Sequence, residues 1–347
     1  MIRLFKWVLM GMAIYMSASC SFPYAYRNYP IEVYTPARII LSGPGLSVGI
    51  IYRNPVVPEA ISKYDSYFAH TDLAPPLYRI NPIAYHHIEM VKEMINESGY
   101  FESAEYLGEE ILQAGDSIQI MPVTPDEVRH FFEQYPGKDV LLFLDYLSGT
   151  INTEYYRDIS FFRRMLLTNP VWQISERSTG KLFIYNRTDT VLWEGFAESA
   201  KEISNLVPEQ EQGFLEGAET SAETFSHFLI PKWILVNRNL YRSPNDDMRV
   251  AYKLVTQNRW TEAATVYERL SVSGNRKNRA IAMFNLAFIS EMHDDLEGAT
   301  NWLLNSYFVF EESKPEHARL TKEYLGIIAQ RKKDLIILES IQVPGVP

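Results

Sequence analysis

The feature that most restricts the fold of this chain is an uninterrupted apolar run at residues 140–144, with the sequence VLLFL. A strand with one face on a core alternates apolar and polar residues, whereas an unbroken apolar run is typical of a strand buried on both faces. The run therefore predicts a central strand covered by helices on both sides, as in α/β proteins. Asp145 follows the run directly, where α/β sheets often carry functional groups. A lone acidic residue there is expected to be a solvated strand end.

Two helices are predicted ahead of this strand. Asn81 and Pro82 resemble an N-cap followed by proline at the first helical position, and Gly99 supplies a C-terminal stop. Apolar residues recur at helical spacing between them. Thr124 and Glu127 form a capping box at the start of the second helix.

The other strands are predicted from short segments that are rich in apolar and β-branched residues. They lie at residues 31–34, 37–41, 48–52, 100–107, 171–176, 182–186, 191–194 and 233–236. Turns at 178–180 and 188–189 are expected to join three of these segments into an antiparallel meander. Between the meander and the last strand, Gly213, Gly217 and Ala222 lie on a predicted helix whose small-residue face permits close approach to the sheet.

The C-terminal part of the chain is helical in character and contains a repeat. Ala251 and Ala263 recur as Ala287 and Ala299, 36 residues further on. Small residues at such positions let paired helices approach, and the pattern resembles tetratricopeptide repeats. A further helix at about residues 316–332 is expected to cap the stack. Two repeats are too few to be stable alone, so we expect the tail to dock on the α/β body.

The first twenty residues have the layout of a cleaved secretion signal. Arg3 and Lys6 supply a basic start, an apolar run follows at 7–16, and small residues at 17–19 precede Cys20. Cys20 is the only cysteine of the chain, and the segment resembles the lipobox of bacterial lipoproteins although it lacks the usual leucine. A plain secretion signal, a core segment and a membrane helix are the alternatives. A membrane helix of roughly 13 residues would span only about 20 Å of a core about 30 Å thick.

Cys20 is therefore the predicted lipidation site, with a diacylglyceryl group on its thiol and an acylated amine. The residues after it lack the aspartate of inner-membrane retention and the charged run of surface export, which favours the periplasmic face of the outer membrane. The chain has 33 basic and 43 acidic residues and a net charge of −10. This charge argues against nucleic acid and against electrostatic docking on anionic lipid.

The residues do not indicate an active site. The chain has no nucleophile elbow, Walker loop, zinc-protease helix or paired cysteines, and the glycines beside Pro44 precede a strand instead of entering a helix. The best metal candidates are His86, His87 and Glu89, without a distant further ligand. The loop at 56–79 contains Asp65, His70 and Asp72, but they lack the spacing of a catalytic triad. Between the repeat helices, His293, Asp294 and Asp295 also lack that spacing and are expected to be a solvated cap. We predict no catalytic residue, no metal and no cofactor.

Three stretches resemble a group of uncharacterised Bacteroidetes lipoproteins that carry a domain of unknown function and a repeat-like tail. The stretches are residues 31–37 with 48–54, residues 171–174 with 179–181, and residues 213–233 with Arg238 and Tyr241. The resemblance implies a Rossmann-like α/β domain, similar to that of the curli-secretion lipoprotein and to the N-terminal domain of TolB. It implies no activity and no catalytic residue.

The predicted fold class is therefore α/β, with a Rossmann-like mixed sheet flanked by helices, followed by an all-α tetratricopeptide-like tail. The predicted limits are 1–19 for the lipoprotein signal peptide, 20–30 for the lipidated tether, 31–243 for the α/β domain, 244–335 for the helical domain and 336–347 for the tail.

The predicted function is that of a non-catalytic envelope protein, anchored by Cys20, whose repeats bind a protein partner. One alternative is a subunit of an oligomeric export or assembly complex related to the curli-secretion lipoprotein. A periplasmic hydrolase that uses the loop at 56–79 as a lid is the other.

Overall fold

A computed structural model of the chain describes residues 26–56, 78–79, 81–113, 122–310 and 315–341. The chain forms two compact units. We call them the helical unit (residues 1–35 and 233–336) and the sheet unit (residues 36–232 and 337–347). The domain limits of 31–243 and 244–335 remain a prediction. In the compact units, the strand segments at 26–35 and 233–241 belong to the helical unit.

The elements follow one another as the predicted class requires, with a mixed sheet and its helices first and a run of helices afterwards. The strands are β1 Tyr26–Thr35, β2 Ser47–Val56, β3 Tyr78–Arg79, β4 Ser103–Gln113, β5 Val140–Tyr156, β6 Phe161–Glu176, β7 Leu182–Asn186, β8 Asp189–Phe196 and β9 Lys232–Tyr241. The helices are α1 Asn81–Glu97, α2 Pro125–Gln134, α3 Ala200–Leu206, α4 Gln210–Leu229, α5 Asp246–Thr256, α6 Trp260–Ser273, α7 Arg276–Met292, α8 Leu296–Phe310 and α9 Pro315–Ser340. The α/β class with a helical C-terminal part is confirmed.

The sheet unit is built around β5, as the apolar run predicts. The strand order is β4-β2-β5-β6-β7, with β3 beside β5 and β8 beside β6. β2 is parallel to β4 and β5, whereas β6 is antiparallel to β5. Residues 140–144 are all fully buried. Their side chains alternate between a core with α1 and α4 on one face and a core with α2 on the other.

Helix α4 approaches the sheet closely, which confirms the prediction from its small residues. A Cβ added at Gly217 would lie 2.4 Å from Leu166 Cδ2, closer than any carbon contact allows. Along the same helix, Ala218 and Ala222 are completely buried. Phe225 stacks on Trp172 of β6 at 4.5 Å between ring centroids. Burying one such ring contributes roughly 1.5–3 kcal/mol.

Two predicted features of the sheet are wrong. The turn at 188–189 does not pair β8 with β7. The sixteen-residue strand β6 pairs with β7 through residues 171–175 and with β8 through residues 161–168, so β7 and β8 follow one another along the same edge of β6. The segment at 37–41 is not a strand. The backbone N–H groups of Arg38 and Ile39 donate to the Phe228 carbonyl instead, so this segment satisfies the C-terminus of α4.

The helical unit combines a two-stranded ribbon of β1 and β9 with helices α5 to α9. Consecutive helices pack as the antiparallel neighbours that the repeat predicts, α5 with α6 and α7 with α8. Ala251, Ala263, Ala287 and Ala299 are completely buried where these helices approach. Within the described ranges, every helix is too short or too polar to cross a membrane.

Candidate functional site

Several predicted site residues lie outside the part of the chain that the structure describes. Cys20 precedes residue 26, and Asp65, His70 and Asp72 fall between residues 56 and 78. Lipidation of Cys20 and the role of this loop therefore stay predictions.

Asp145 is not a solvated strand end, as the sequence led us to expect. It is only 4% exposed, because β5 continues past it and Asp145 is the extra residue of a β-bulge between Leu144 and Tyr146. Its carboxylate accepts hydrogen bonds from Arg53 Nη1 at 2.8 Å and from Gln173 Nε2 at 2.5 Å. Bulges commonly re-aim a side chain in this way.

This cluster lies where an α/β sheet usually binds ligands. Helix α1 connects β2 to β4, its neighbour on one side, and α2 then leads to β5, the neighbour of β2 on the other side. The direction in which successive strands are added to the sheet therefore changes between β2 and β5. Arg53 of β2 and Asp145 of β5 flank that point, and Glu110 of β4 lies 3.5 Å from Arg53 Nε.

The cluster has the chemistry of a structural clamp. Burial raises the pKa of Asp145, against the hydrogen bond from Gln173 and the charge of Arg53, which lower it. A buried ion pair costs most when one partner is removed. The Arg53–Asp145 pair thus joins β2 and β5 directly beyond the last residues that pair in their parallel register.

His86, His87 and Glu89 do not converge on a common point. His87 is completely buried, and its Nδ1 donates to the Ala218 carbonyl at 2.8 Å while its Nε2 accepts from Trp172 Nε1 at 3.1 Å. His86 contacts Glu219 at 3.0 Å, and Glu89 pairs with Lys92. Among the described residues, no three metal-binding side chains are grouped around one point.

Both ring nitrogens of His87 make hydrogen bonds that require the neutral form of the ring. Burial lowers the pKa of His87 to about 4, outweighing the opposite effect of the bond to the Ala218 carbonyl. His87 is therefore a core residue of the sheet unit that bonds α1 to α4 and to β6.

The acidic turn between α7 and α8 is a cap, as predicted. Asp295 Oδ1 accepts a hydrogen bond from the Gly298 N–H at 2.8 Å, at the start of α8. Asp294 adopts a left-handed backbone with φ of 57° and pairs with Arg331 of α9 at 2.8 Å. The turn thus also joins α9 to the repeat helices.

A buried charge cluster in the helical unit escaped the sequence analysis. Glu291 of α7 is completely buried in its side chain and accepts hydrogen bonds from Arg238 of β9, Arg331 of α9 and Tyr324 of α9. Burial raises the pKa of Glu291, but the hydrogen bonds and charge of Arg238 outweigh it, so the net pKa is lowered. These residues are far apart in the sequence, and no local pattern links them.

The ribbon covers one face of α7. The side-chain amide of Asn285 pairs with the backbone of Tyr241 as a neighbouring strand would. It accepts a hydrogen bond from the Tyr241 N–H and donates one to the Tyr241 carbonyl, both at 3.0 Å. Tyr29 of β1 packs edge-on against Phe288 at 5.4 Å between centroids. Twelve of the seventeen residues of α7 are buried. One face of this repeat helix is thus covered by the chain's own strands.

Helix α8 packs on α7 and leaves a face of its own exposed. Ala299, Leu303 and Ser306 point inwards and are completely buried, whereas Leu304 is 38% exposed and Phe308 is 64% exposed. Glu297 is the one charged residue among the fifteen of this helix. Exposed apolar side chains that lie together on one helix face mark candidate interaction surfaces. We call Leu304 and Phe308 the α8 surface.

The fold is that of a mixed α/β protein with a C-terminal set of paired helices. Residues 46–241 match a family model described as Domain of unknown function (DUF8603). The chain belongs to that family, since the match covers more than half of its 347 residues. Residues 249–330 match a second model, Domain of unknown function (DUF6340). A comparison with curated proteins gave no match. Neither model is a lipoprotein, curli or tetratricopeptide family, so those finer resemblances remain predictions.

Proposed function

We propose that this protein is a lipid-anchored, non-catalytic scaffold of the bacterial envelope that binds another envelope protein through the α8 surface. The anchor is Cys20, and the location is the periplasmic face of the outer membrane. The observation that carries the binding proposal is the pair of exposed apolar residues, Leu304 and Phe308, on a helix with a single charge. The strands that cover one face of α7 support it, because a partner cannot bind the repeat helices at that face.

The α8 surface is held in place by the helix beneath it. The Ser306 hydroxyl donates to the Ala280 carbonyl of α7 at 2.8 Å, and Leu303 is completely buried on the same side. The backbone that carries Phe308 is thus fixed on α7 and loses little entropy on binding. Phe308 is suited to act as an anchor that enters a pocket of the partner.

The size of the expected effect follows from the behaviour of such anchors. A dominant interface residue costs about 2 kcal/mol or more when it is truncated, which corresponds to about a thirtyfold loss of affinity. A charge at the same position adds the cost of burying it without a partner.

The test is photo-crosslinking in cells that carry a photoreactive amino acid at position 304, next to Phe308. We expect one dominant crosslinked partner, which is lost in Phe308→Asp and retained in Val272→Asp. Val272 is a suitable control because it is 81% exposed and lies at the end of α6. The proposal fails if no discrete partner is crosslinked, or if Phe308→Asp leaves the crosslink unchanged.

The anchor is tested separately. Cys20→Ala should move the protein from the membrane fraction to the soluble fraction. The variant protein should also no longer incorporate a fatty-acid analogue. A protein that keeps its label and its membrane attachment after this change would refute the lipoprotein assignment.

A further inference from the structure

Strand β7 is the terminal strand of the sheet and has an open side. It pairs with β6 through Leu182 to Asn186, and no other strand among the described residues pairs with its far edge. An unpaired edge offers a row of backbone donors and acceptors to another extended chain. On one face of the strand, Tyr185 packs on Phe225 and Phe228 of α4.

The other face of β7 borders a cleft of about 360 Å³. Helix α2 supplies one wall, chiefly with Pro125, Val128 and Phe132, and Ser175 and Leu182 supply the sheet side. Ile184 lies beyond Leu182 on the same face and is 56% exposed. Side chains that alternate along a strand added to β7 would enter this cleft at every second position.

A buried hydroxyl in the cleft is unsatisfied. Ser175 is 1% exposed, and its Oγ has no hydrogen-bond partner in the part of the chain that the structure describes. A buried polar group without a partner is costly and calls for an explanation. A polar atom of a bound segment would supply the missing bond.

Charge distinguishes this edge from the acidic remainder of the chain. Exposed Lys181 and Arg187 bracket β7 at its two ends. Two arginines lie on the rim of the cleft, Arg177 and Arg129, of which Arg129 pairs with Asp126 at 2.8 Å. Glu133 is the one acidic residue among those that line it. Within the described residues, no carboxylate pairs with Lys181, and Arg187 makes only a 3.8 Å contact with Asp189. A segment with acidic ends is complementary to this arrangement.

We propose that β7 and the adjacent cleft bind an extended segment of a partner protein by β-strand addition, with apolar side chains at alternate positions and acidic residues at the ends. Main-chain hydrogen bonds to β7 provide affinity in this mode, and the cleft provides specificity. The surface lies on the sheet unit, so it does not depend on the α8 surface or on the anchor.

The probe is a displayed library of random dodecapeptides, selected on the full chain carrying Cys20→Ala. We expect enriched peptides with alternating apolar residues flanked by Asp or Glu. The affinity of the best synthetic peptide is then measured by fluorescence anisotropy, and hydrogen exchange locates its site. Slower exchange at residues 182–186 is the expected signature.

Two substitutions form a matched pair. Leu182→Lys should weaken the peptide at least tenfold, whereas Leu192→Lys, on the β8 part of the same edge, should change affinity less than twofold. Lys181→Glu is a second variant, at an exposed residue that does not pack against the sheet or the helices. It should also lower the affinity for the peptide at least tenfold. Near-UV circular dichroism verifies that each variant is folded.

Four results would overturn the proposal. They are a library without enrichment, protection confined to the helical unit, binding by Leu182→Lys and Lys181→Glu that is as tight as binding by the parent chain, or a dimer of this chain that pairs β7 with its own copy. In the last case the edge serves self-association and no external segment.

Discussion

Acid should destabilise the sheet unit through His87, and the size of the effect can be worked out from its surroundings. Burial lowers the pKa of His87 to about 4, from 6.5 in an unfolded chain. The unfolded state therefore binds the proton more tightly than the folded state. The stability that His87 contributes is fully present above pH 6.5, and it is lost as the pH falls from 6.5 towards 4.

Between pH 7.5 and pH 5.0, this difference removes about 2 kcal/mol of unfolding free energy. His87→Gln keeps a donor for the Ala218 carbonyl and an acceptor for Trp172, but it cannot take up the proton. We expect it to lower stability at pH 7.5 by about 1–2 kcal/mol and to reduce the loss between the two pH values by about 2 kcal/mol.

The assay is urea unfolding of the Cys20→Ala chain at both pH values, followed by far-UV circular dichroism. The control is His86→Gln, the adjacent histidine whose side chain is 35% exposed. It should change the free energy of unfolding at pH 7.5 by less than about 0.5 kcal/mol. If His87→Gln shows the same loss between pH 7.5 and pH 5.0 as the parent chain, the assignment of a neutral buried ring is refuted.

Three further outcomes are expected. Glu291→Gln should destabilise the helical unit by about 3–5 kcal/mol, because it leaves buried arginine charges uncompensated, and urea unfolding measures the loss. Gly217→Ala should cost about 1–3 kcal/mol, since its Cβ meets Leu166 at 2.4 Å, whereas Gly213→Ala, with its nearest atom at 3.6 Å, should cost less in the same assay. Cys20→Ala should yield a folded protein in the soluble fraction, which fractionation and circular dichroism can check; an unfolded or membrane-bound product would contradict it.

Local sequence signals predicted the elements of this fold well. The capping box at Thr124 and Glu127 is present as expected, with the Glu127 N–H donating to the Thr124 hydroxyl. The apolar run at 140–144 is the central strand. Each of these signals depends on neighbours within a few residues, which the sequence displays directly.

Features set by distant partners were not predictable in the same way. Asp145 has the sequence context of a strand end, and only the pairing of β5 with β6 shows that the strand continues through a bulge. The contact of Glu291 with Arg238 joins residues 53 positions apart. Likewise, the strands at 31–34 and 233–236 were predicted singly, but nothing local indicates that they form one ribbon.

The same ribbon has a consequence for the order in which the protein forms. β1 leads the described chain and β9 follows almost the whole sheet unit, so β1 is synthesised long before its partner strand exists. Tyr29, which ends against Phe288 and Trp260, has no surface to pack on during that interval. Contacts between residues so distant form late, because a long loop must close first. Although β1 is synthesised before every other described strand, it is thus among the last to be folded.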